Sequence, residues 1–255
     1  MQRDHGTEEL HLQGAVVGIG GLDDRRPHEV ALPVVALAAH QDRRVGGRLR
    51  LLDGGGDALL DHELVEYLLA LVIPRRDTKP LAKQLLAEFG GLPALVSADP
   101  ESLRRVPGVG DTVVAALKVV QATSVRLLKA EVVERPIVAS WQALLDYLRA
   151  DLAHISVERV RVLHLNSKNM LIRDEMVSEG SIDQSAIYIR EVIRRALELG
   201  SSALILVHNH PSGDTQPSRA DIAITRDIVE AGKKLGIAVH DHVIIGAKGH
   251  SSMRA

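Results

Sequence analysis

The sequence predicts two parts of different fold class: a small all-helical domain, followed by a domain of the α+β or α/β class in which a mixed β-sheet is flanked by helices. Apolar residues recur at helical spacing from Asp61 onwards. Beyond Pro136, short apolar runs of strand length alternate with helical segments. With 45% apolar residues in 255, the chain is long enough and apolar enough to build a core in each part.

The domain boundaries follow from changes in this spacing. Residues 1–47 show neither helical nor strand periodicity, so we assign them no fold and no function. The helical domain is expected to cover residues 48–130. The charged stretch 129–135, which ends at Pro136, is expected to be a linker. The mixed domain is expected to cover residues 131–255.

Start and stop signals divide the first domain into four predicted helices. The breaks lie at Pro74 to Asp77, at Gly90-Gly91 and at Val106 to Gly110. Asp99 precedes Pro100 and is a suitable N-cap for the third helix. The predicted helices begin near Asp61, cover Lys79 to Phe89, follow Asp99-Pro100, and begin at Asp111.

The second domain is expected to alternate helices and strands. Its most apolar strand, Ala203 to Val207, is short and uninterrupted, which favours a buried position in the sheet. The other strands are expected at Val160–Leu165, Met170–Val177 and Ile237–Ile245, and the helices at Trp141–Leu152, Ile187–Leu199 and Ser218–Leu235.

Composition excludes several classes of function. The net charge of -2 gives no general attraction to nucleic acid, and 2% aromatic residues disfavour binding of single strands by base stacking. The absence of cysteine excludes thiol catalysis and cysteine metal sites, and leaves His, Asp and Glu as metal ligands. No apolar run has the length of a membrane span, and the N-terminus lacks a secretory signal, so we expect a cytoplasmic protein that does not bind membranes.

A candidate metal site follows the most apolar strand. His208 and His210 are two residues apart, so in an extended segment both imidazoles face the same way. Asp221 lies one turn inside the next predicted helix, where its carboxylate returns to the end of the strand. Three such ligands bind zinc and leave a fourth position for water. The alternative is purely structural: Ser218-x-x-Asp221 is close to a helix capping box, and histidines at a strand end often belong to a turn.

The complete spacing, His208-x-His210, seven residues, Ser218, two residues, Asp221, matches the JAMM signature of MPN-type zinc metallopeptidases. More narrowly, His208 to Gly213, Pro217-Ser218 and Asp241-His242 resemble the RadC family of bacterial proteins, over about residues 50–255. The resemblance implies a JAMM/MPN domain, similar in fold to cytidine deaminases, with Zn²⁺ held at His208, His210 and Asp221. Ser218 matches the serine that stabilises the tetrahedral intermediate.

The JAMM motif also requires an upstream glutamate that acts as general base and then as general acid. Glu158 precedes a stretch that is similar to the corresponding strand of RadC proteins, and we choose it. The alternative glutamates are Glu175, Glu179 and Glu191. Asp241 or His242 is expected to orient a ligand imidazole from behind. His240 and His242 form a rival pair that lacks a third ligand at a useful spacing.

The segment Val106-Pro107-Gly108-Val109-Gly110 resembles a helix-hairpin-helix motif. Glycine turns of this kind place backbone amides at a helix N-terminus, where they bind phosphate without reading base sequence. Gly108 and Gly110 are therefore candidate phosphate-binding residues, with Arg104, Arg105 and Lys118 nearby in sequence. The alternative is a turn that only packs two helices.

Three hypotheses for function follow. The first, which we favour, is a zinc metallopeptidase-like hydrolase of the RadC family that cleaves peptide or isopeptide bonds in a protein or peptide substrate. The second is an accessory protein of DNA repair that binds DNA without sequence specificity through the helical domain. The third is a scaffold without catalytic activity. The sequence specifies neither the substrate nor the oligomeric state.

Overall fold

The computed structural model describes residues 46–180 and 187–254. Residues 1–47, for which we predicted no fold and no function, lie almost wholly outside these residues. Within them, no helix is both long enough and apolar enough to cross a membrane.

The first part of the chain is helical, as predicted. Gly90 adopts a left-handed conformation at the end of the second helix, and the Asp99 carboxylate accepts hydrogen bonds from the amides of Glu101 and Ser102 at the start of the fourth. A six-residue helix after Gly91 was not predicted, because it is too short to show helical periodicity. The helices are α1 (Asp61–Val72), α2 (Lys79–Phe89), α3 (Leu92–Ser97), α4 (Pro100–Arg104) and α5 (Asp111–Val133).

The predicted linker at residues 129–135 is wrong, because α5 continues without a break to Val133. Val125, Leu128 and Val132 follow one another at helical spacing and pack against the core of the second part. The charges that suggested a linker lie beside this apolar stripe, and Lys129 Nζ lies 3.6 Å from the buried carboxylate of Asp174. A single helix therefore belongs to both parts of the chain.

The second part is a mixed five-stranded sheet flanked by helices, which confirms the predicted fold class. The strand order is β2-β1-β3-β4-β5, and only β3 and β4 are parallel. The last strand, β5, is four residues long and was not predicted. The elements are α6 (Trp141–Leu152), β1 (Glu158–Leu165), β2 (Leu171–Gly180), α7 (Ile189–Glu198), β3 (Ala203–Asn209), α8 (Arg219–Lys233), β4 (Ala238–Gly246) and β5 (Gly249–Ser252).

Each face of the sheet has its own core. Helix α6 and the end of α5 cover one face through Leu144, Leu148 and Val132. Helices α7 and α8 cover the other face, where Val192 and Ile228 are buried. Strand β3 lies in the middle and is buried at all seven positions, which explains its uninterrupted apolar run.

The topology brings three chain segments to one edge of the sheet. Strand β1 is antiparallel to β3, with Val160 opposite His208, so the beginning of β1 lies beside the end of β3. The chain then leaves β3 through a turn and enters α8 at Ser218. The turn packs closely on β4: a Cβ at Gly246 would lie 2.6 Å from the carbonyl oxygen of Gly213, so only glycine fits there.

Candidate metal centre

The structure brings His208, His210 and Asp221 together at this edge. Nε2 of His208 lies 2.9 Å from Nε2 of His210. The Asp221 carboxylate lies 3.4 Å from Nε2 of His208 and 3.7 Å from Nε2 of His210. Among the described residues, these three form the single cluster of ligand atoms close enough to share a metal ion, all within 4.8 Å of one another.

The protonation of His210 follows from its other ring nitrogen. Nδ1 of His210 lies 2.7 Å from the carbonyl oxygen of Asp214, which can only accept a hydrogen bond. Nδ1 therefore carries the proton. In the neutral ring, Nε2 then presents a lone pair to the cluster.

A longer chain of hydrogen bonds fixes the tautomer of His208. The hydroxyl of Thr225 lies 2.5 Å from the carbonyl oxygen of Asp221 and donates its one proton there. The Thr225 oxygen then accepts a hydrogen bond from Nδ1 of His242, at 2.6 Å. Burial lowers the pKa of His242 to about 3, so this ring is neutral and its Nε2 is an acceptor. Nδ1 of His208, 2.7 Å away, donates to it.

Nε2 of His208 therefore carries no proton and also presents a lone pair to the cluster. Two nitrogen lone pairs that face each other at 2.9 Å, with a carboxylate beside them, repel one another unless a cation lies between them. The set of two imidazole nitrogens and one carboxylate oxygen suits zinc, which takes such ligands in tetrahedral sites and retains one open position when the protein supplies three. The donor atoms of this chain therefore fit a zinc ion.

Ser218 and Asp221 form the capping box that the sequence offered as the structural alternative. The Ser218 oxygen accepts a hydrogen bond from the Asp221 amide, and the Asp221 carboxylate accepts one from the Ser218 amide. Burial raises the pKa of Asp221, but its contacts with His208 and Ser218 outweigh burial and hold that pKa well below its usual range. The cap thus keeps the carboxylate ionised and oriented towards the histidines, and the Ser218 hydroxyl proton remains available to donate.

Glu158 begins β1 at the same edge and is 9% exposed. Its Oε2 atom is buried and has no hydrogen-bond partner among the described residues. Burial raises its pKa, and the nearby His208 and His210 offset this increase only in part. The structure therefore places an unpartnered carboxylate within electrostatic reach of the cluster.

The alternative glutamates are engaged elsewhere. Glu175 binds Arg195, with Nε and Oε2 2.8 Å apart. Glu179 binds Arg159, and Glu191 binds Arg194, each at 2.9 Å. None of the three hydrogen bonds involves a residue of the cluster.

Of the two residues expected behind the ligands, His242 contacts His208 directly. Asp241 alternates to the other side of β4, where its carboxylate accepts hydrogen bonds from the His242 amide and the Ser252 hydroxyl. The two histidines of the rival pair have different partners. Nε2 of His240 lies 2.7 Å from the side-chain oxygen of Asn169, whereas His242 binds His208. His164 is buried, and its Nδ1 atom is hydrogen-bonded to the Ser201 hydroxyl at 3.0 Å.

Two polar residues at this edge were missed by sequence reasoning. Thr225 lies one turn after Asp221 on the same face of α8, and that spacing is the signal that could have indicated it. Asn209 lies between the two histidines and points to the opposite side of β3, where its side chain is buried. A buried amide requires hydrogen-bond partners, but the sequence does not indicate which.

The glycine turn joins α4 to α5 as expected. Gly108 has a φ of 90°, and Gly110 is the residue that precedes α5. A Cβ at Gly108 would lie 3.4 Å from a guanidinium nitrogen of Arg76, a residue that sequence reasoning did not include. Lys118 is directed elsewhere: it donates to the carbonyl of Val96 and to Gln121.

Comparisons with known proteins agree with the resemblance seen in the sequence. Residues 138–255 match the RadC-like JAB domain family. A protein of Rhodobacter capsulatus designated UPF0758 is 50% identical over 208 residues, which are 82% of this chain and 97% of that protein.

A first prediction concerns Thr225. Thr225→Val removes the hydroxyl that fixes the tautomer of His242 and, through it, that of His208, while it preserves the shape of the side chain. We expect zinc affinity to fall by about 10- to 100-fold, which is the usual effect of mutating a residue that orients a metal ligand through hydrogen bonds. Competition with a chelating dye measures this affinity. Thr225→Ser, which retains the hydroxyl, is the matched control, and equal loss in both variants would contradict the tautomer argument.

Proposed function

This chain belongs to the RadC (UPF0758) family, and we propose that it is a zinc-dependent hydrolase of the metallopeptidase type, which cleaves peptide or isopeptide bonds. One observation carries the proposal: two imidazole lone pairs and a carboxylate converge beside a buried glutamate, whose Oε2 atom has no hydrogen-bond partner among the described residues. If these residues served only to stabilise a turn, a buried glutamate beside them would reduce stability without any benefit, since burial of a carboxylate is unfavourable.

When bound, zinc lowers the pKa of a coordinated water to about 7 and polarises a substrate carbonyl. The three ligands proposed for it are His208, His210 and Asp221. Thr225 and His242 keep the His208 ring turned with its lone pair towards His210 and Asp221, where the ion would bind. Asp214 does the same for His210 through its backbone carbonyl.

Glu158 is proposed to accept the proton of the attacking water and to transfer it to the leaving amine. Its raised pKa suits both steps, because a carboxyl group whose pKa lies closer to neutrality binds and releases a proton more readily at the working pH. Its free Oε2 is the atom that would hold the proton. Ser218 is proposed to donate its hydroxyl to the developing oxyanion, since its oxygen already accepts from the Asp221 amide and its proton is not needed there.

The metal proposal is tested by zinc content. We expect purified protein to contain about one zinc per chain, and His208→Ala and Asp221→Ala to lose it, because two protein ligands hold zinc weakly. Glu158→Gln should retain zinc but lose hydrolysis of any substrate that the wild type cleaves, by about 100-fold or more. Elemental analysis gives the metal content.

The matched control is His240→Ala, which removes a histidine of the other His-x-His pair and should keep its zinc. Loss of zinc in that variant, or absence of zinc from the wild type after reconstitution, would overturn the proposal.

A further prediction follows from the buried glutamate in the metal-free protein. At low pH, Glu158 is protonated in both the folded and the unfolded state, and Glu158→Gln should change stability little. As pH rises, the unfolded chain releases this proton first, at about pH 4.3, while the raised pKa of the folded state delays release there. The wild type therefore loses stability relative to Glu158→Gln.

We expect Glu158→Gln to melt at a higher temperature than the wild type at pH 7.5, with a smaller difference at pH 4.5, both measured in EDTA. Glu179→Gln, which alters a half-exposed glutamate of β2, is the control and should show no such dependence. An equal or lower melting temperature for Glu158→Gln at pH 7.5 would mean that the folded protein does not disfavour this charge.

A second candidate function is weak, sequence-independent binding of DNA by the helical part. The observation that favours it is the positive φ of Gly108, which presents the turn before α5 beside the exposed guanidinium of Arg76. Arg104 contributes less to the local charge, because it forms an ion pair with Asp111 at 2.8 Å. Such binding would depend on phosphate contacts and hence on salt.

Gly108→Ala places a side chain in the left-handed region and against Arg76, so it should reduce binding of a short duplex by about tenfold or more at low salt. Arg76→Ala should weaken binding and lower the salt slope by about one. Fluorescence anisotropy at several salt concentrations measures both effects. Arg226→Ala on α8 is the charge-matched control, and a similar loss in that variant would indicate nonspecific attraction to the whole surface.

A further inference from the structure

Asn209 is the residue between the two histidines, and it is almost wholly buried at 1% exposure. Its side chain makes three hydrogen bonds, all to the backbone of the segment that leads into β1. Its oxygen accepts from the Arg159 amide at 2.9 Å. Its nitrogen donates to the carbonyl oxygens of Ile155, at 3.3 Å, and Val157, at 3.1 Å.

Two of these contacts flank Glu158. The carbonyl of Val157 belongs to the peptide bond that precedes the Cα of Glu158, and the amide of Arg159 belongs to the peptide bond that follows it. One side chain therefore binds both peptide groups on either side of this Cα. Because those two peptide planes define φ and ψ of Glu158, the contacts fix the direction in which its side chain leaves the backbone.

This arrangement compensates for the end of the ladder between β1 and β3. Backbone pairing between the two strands reaches only to Val160, opposite His208, which lies two residues after Glu158 in the sequence. On its other side Glu158 pairs with Gly180 of β2. On the side that faces the ligands, the amide of Asn209 takes the place of the missing backbone partners, as a side-chain amide has the same donor and acceptor groups as a peptide.

The Glu158 carboxylate has no hydrogen bond to hold its Oε2 atom among the described residues. Its position relative to the histidines must therefore come from its backbone. We propose that Asn209 is a positioning residue that joins the ligand-bearing end of β3 to the backbone of Glu158 and sets the general base at a fixed place beside the metal ligands. This inference rests on the proposed function.

The first experiment tests the contact itself in metal-free protein. In Asn209→Ala, hydrogen exchange of the Arg159 amide should accelerate by about tenfold or more, because its acceptor is removed, while the Val162 amide inside the ladder stays protected. Asn209→Leu, which preserves the volume of the side chain, replaces it if the alanine variant does not fold. Unchanged exchange at Arg159 would overturn the inference.

The second experiment tests the effect on Glu158 with Co²⁺ in place of zinc, and with acetohydroxamate, a small chelator that can also donate a hydrogen bond to a neighbouring carboxylate. Visible absorption of the Co²⁺ protein gives the affinity. Glu158→Gln should weaken binding by about tenfold, the effect of one hydrogen bond to a charged group. Asn209→Ala should weaken binding to a similar extent while it retains Co²⁺.

The double variant distinguishes positioning from general loosening of the site. If Asn209 acts through Glu158, Glu158→Gln combined with Asn209→Ala should bind acetohydroxamate no more weakly than Glu158→Gln alone. Asn166→Ala is the matched control, since Asn166 also binds two backbone amides, but in the turn between β1 and β2.

The outcomes separate the two proposals. The role of Asn209 would be overturned if the losses of acetohydroxamate affinity in the two single variants multiplied in the double variant. It would also be overturned if Asn209→Ala bound acetohydroxamate with wild-type affinity. Either result would leave the metal site intact. Failure of the wild type to bind Co²⁺ at all would overturn the proposed function, and the role of Asn209 with it.

Discussion

The approach of two imidazole nitrogens to 2.9 Å is the contact on which the proposed metal site depends. Two lone pairs repel each other at that distance when no cation lies between them. The surrounding structure must therefore hold both rings in place against this repulsion. It does so through hydrogen bonds to Nδ1 of each ring, the nitrogen that does not face the other histidine. The Asp214 carbonyl holds His210, and the series His242, Thr225 and the Asp221 carbonyl holds His208.

The series of hydrogen bonds that begins at His208 ends on the backbone of Asp221, whose carboxylate is the third proposed ligand. Helix α8 therefore supplies both the carboxylate and, through its own carbonyl and Thr225, the group that orients the opposite histidine. The relative position of α8 and β3 consequently determines the whole ligand set. That position is defined by the parallel pairing of β3 with β4 and by the close packing of Gly246 on the turn after His210.

Local patterns were sufficient for much of this arrangement. The buried strand β3 and the approach of His208, His210 and Asp221 are encoded within short segments, and both were predicted. The capping box at Ser218 was recognised as the structural alternative. The course of α5 beyond Lys129 was not predicted, because charged residues beside an apolar stripe resemble a linker until the surface that covers the stripe is known. Asn209 and Thr225 were missed for a related reason: their roles depend on partners 50 residues earlier and 17 residues later in the chain.

The same geometry bears on the hypothesis of a catalytically silent scaffold. A scaffold requires the fold, and the capping box and Gly246 would serve it well without any metal. It does not require a carboxylate whose free oxygen is buried beside the cluster, nor an asparagine whose three hydrogen bonds are directed to the backbone around that carboxylate. The first feature lowers the stability that a scaffold would need, since it buries a carboxylate oxygen that has no hydrogen-bond partner among the described residues. Their presence together is more readily understood in a site that moves protons.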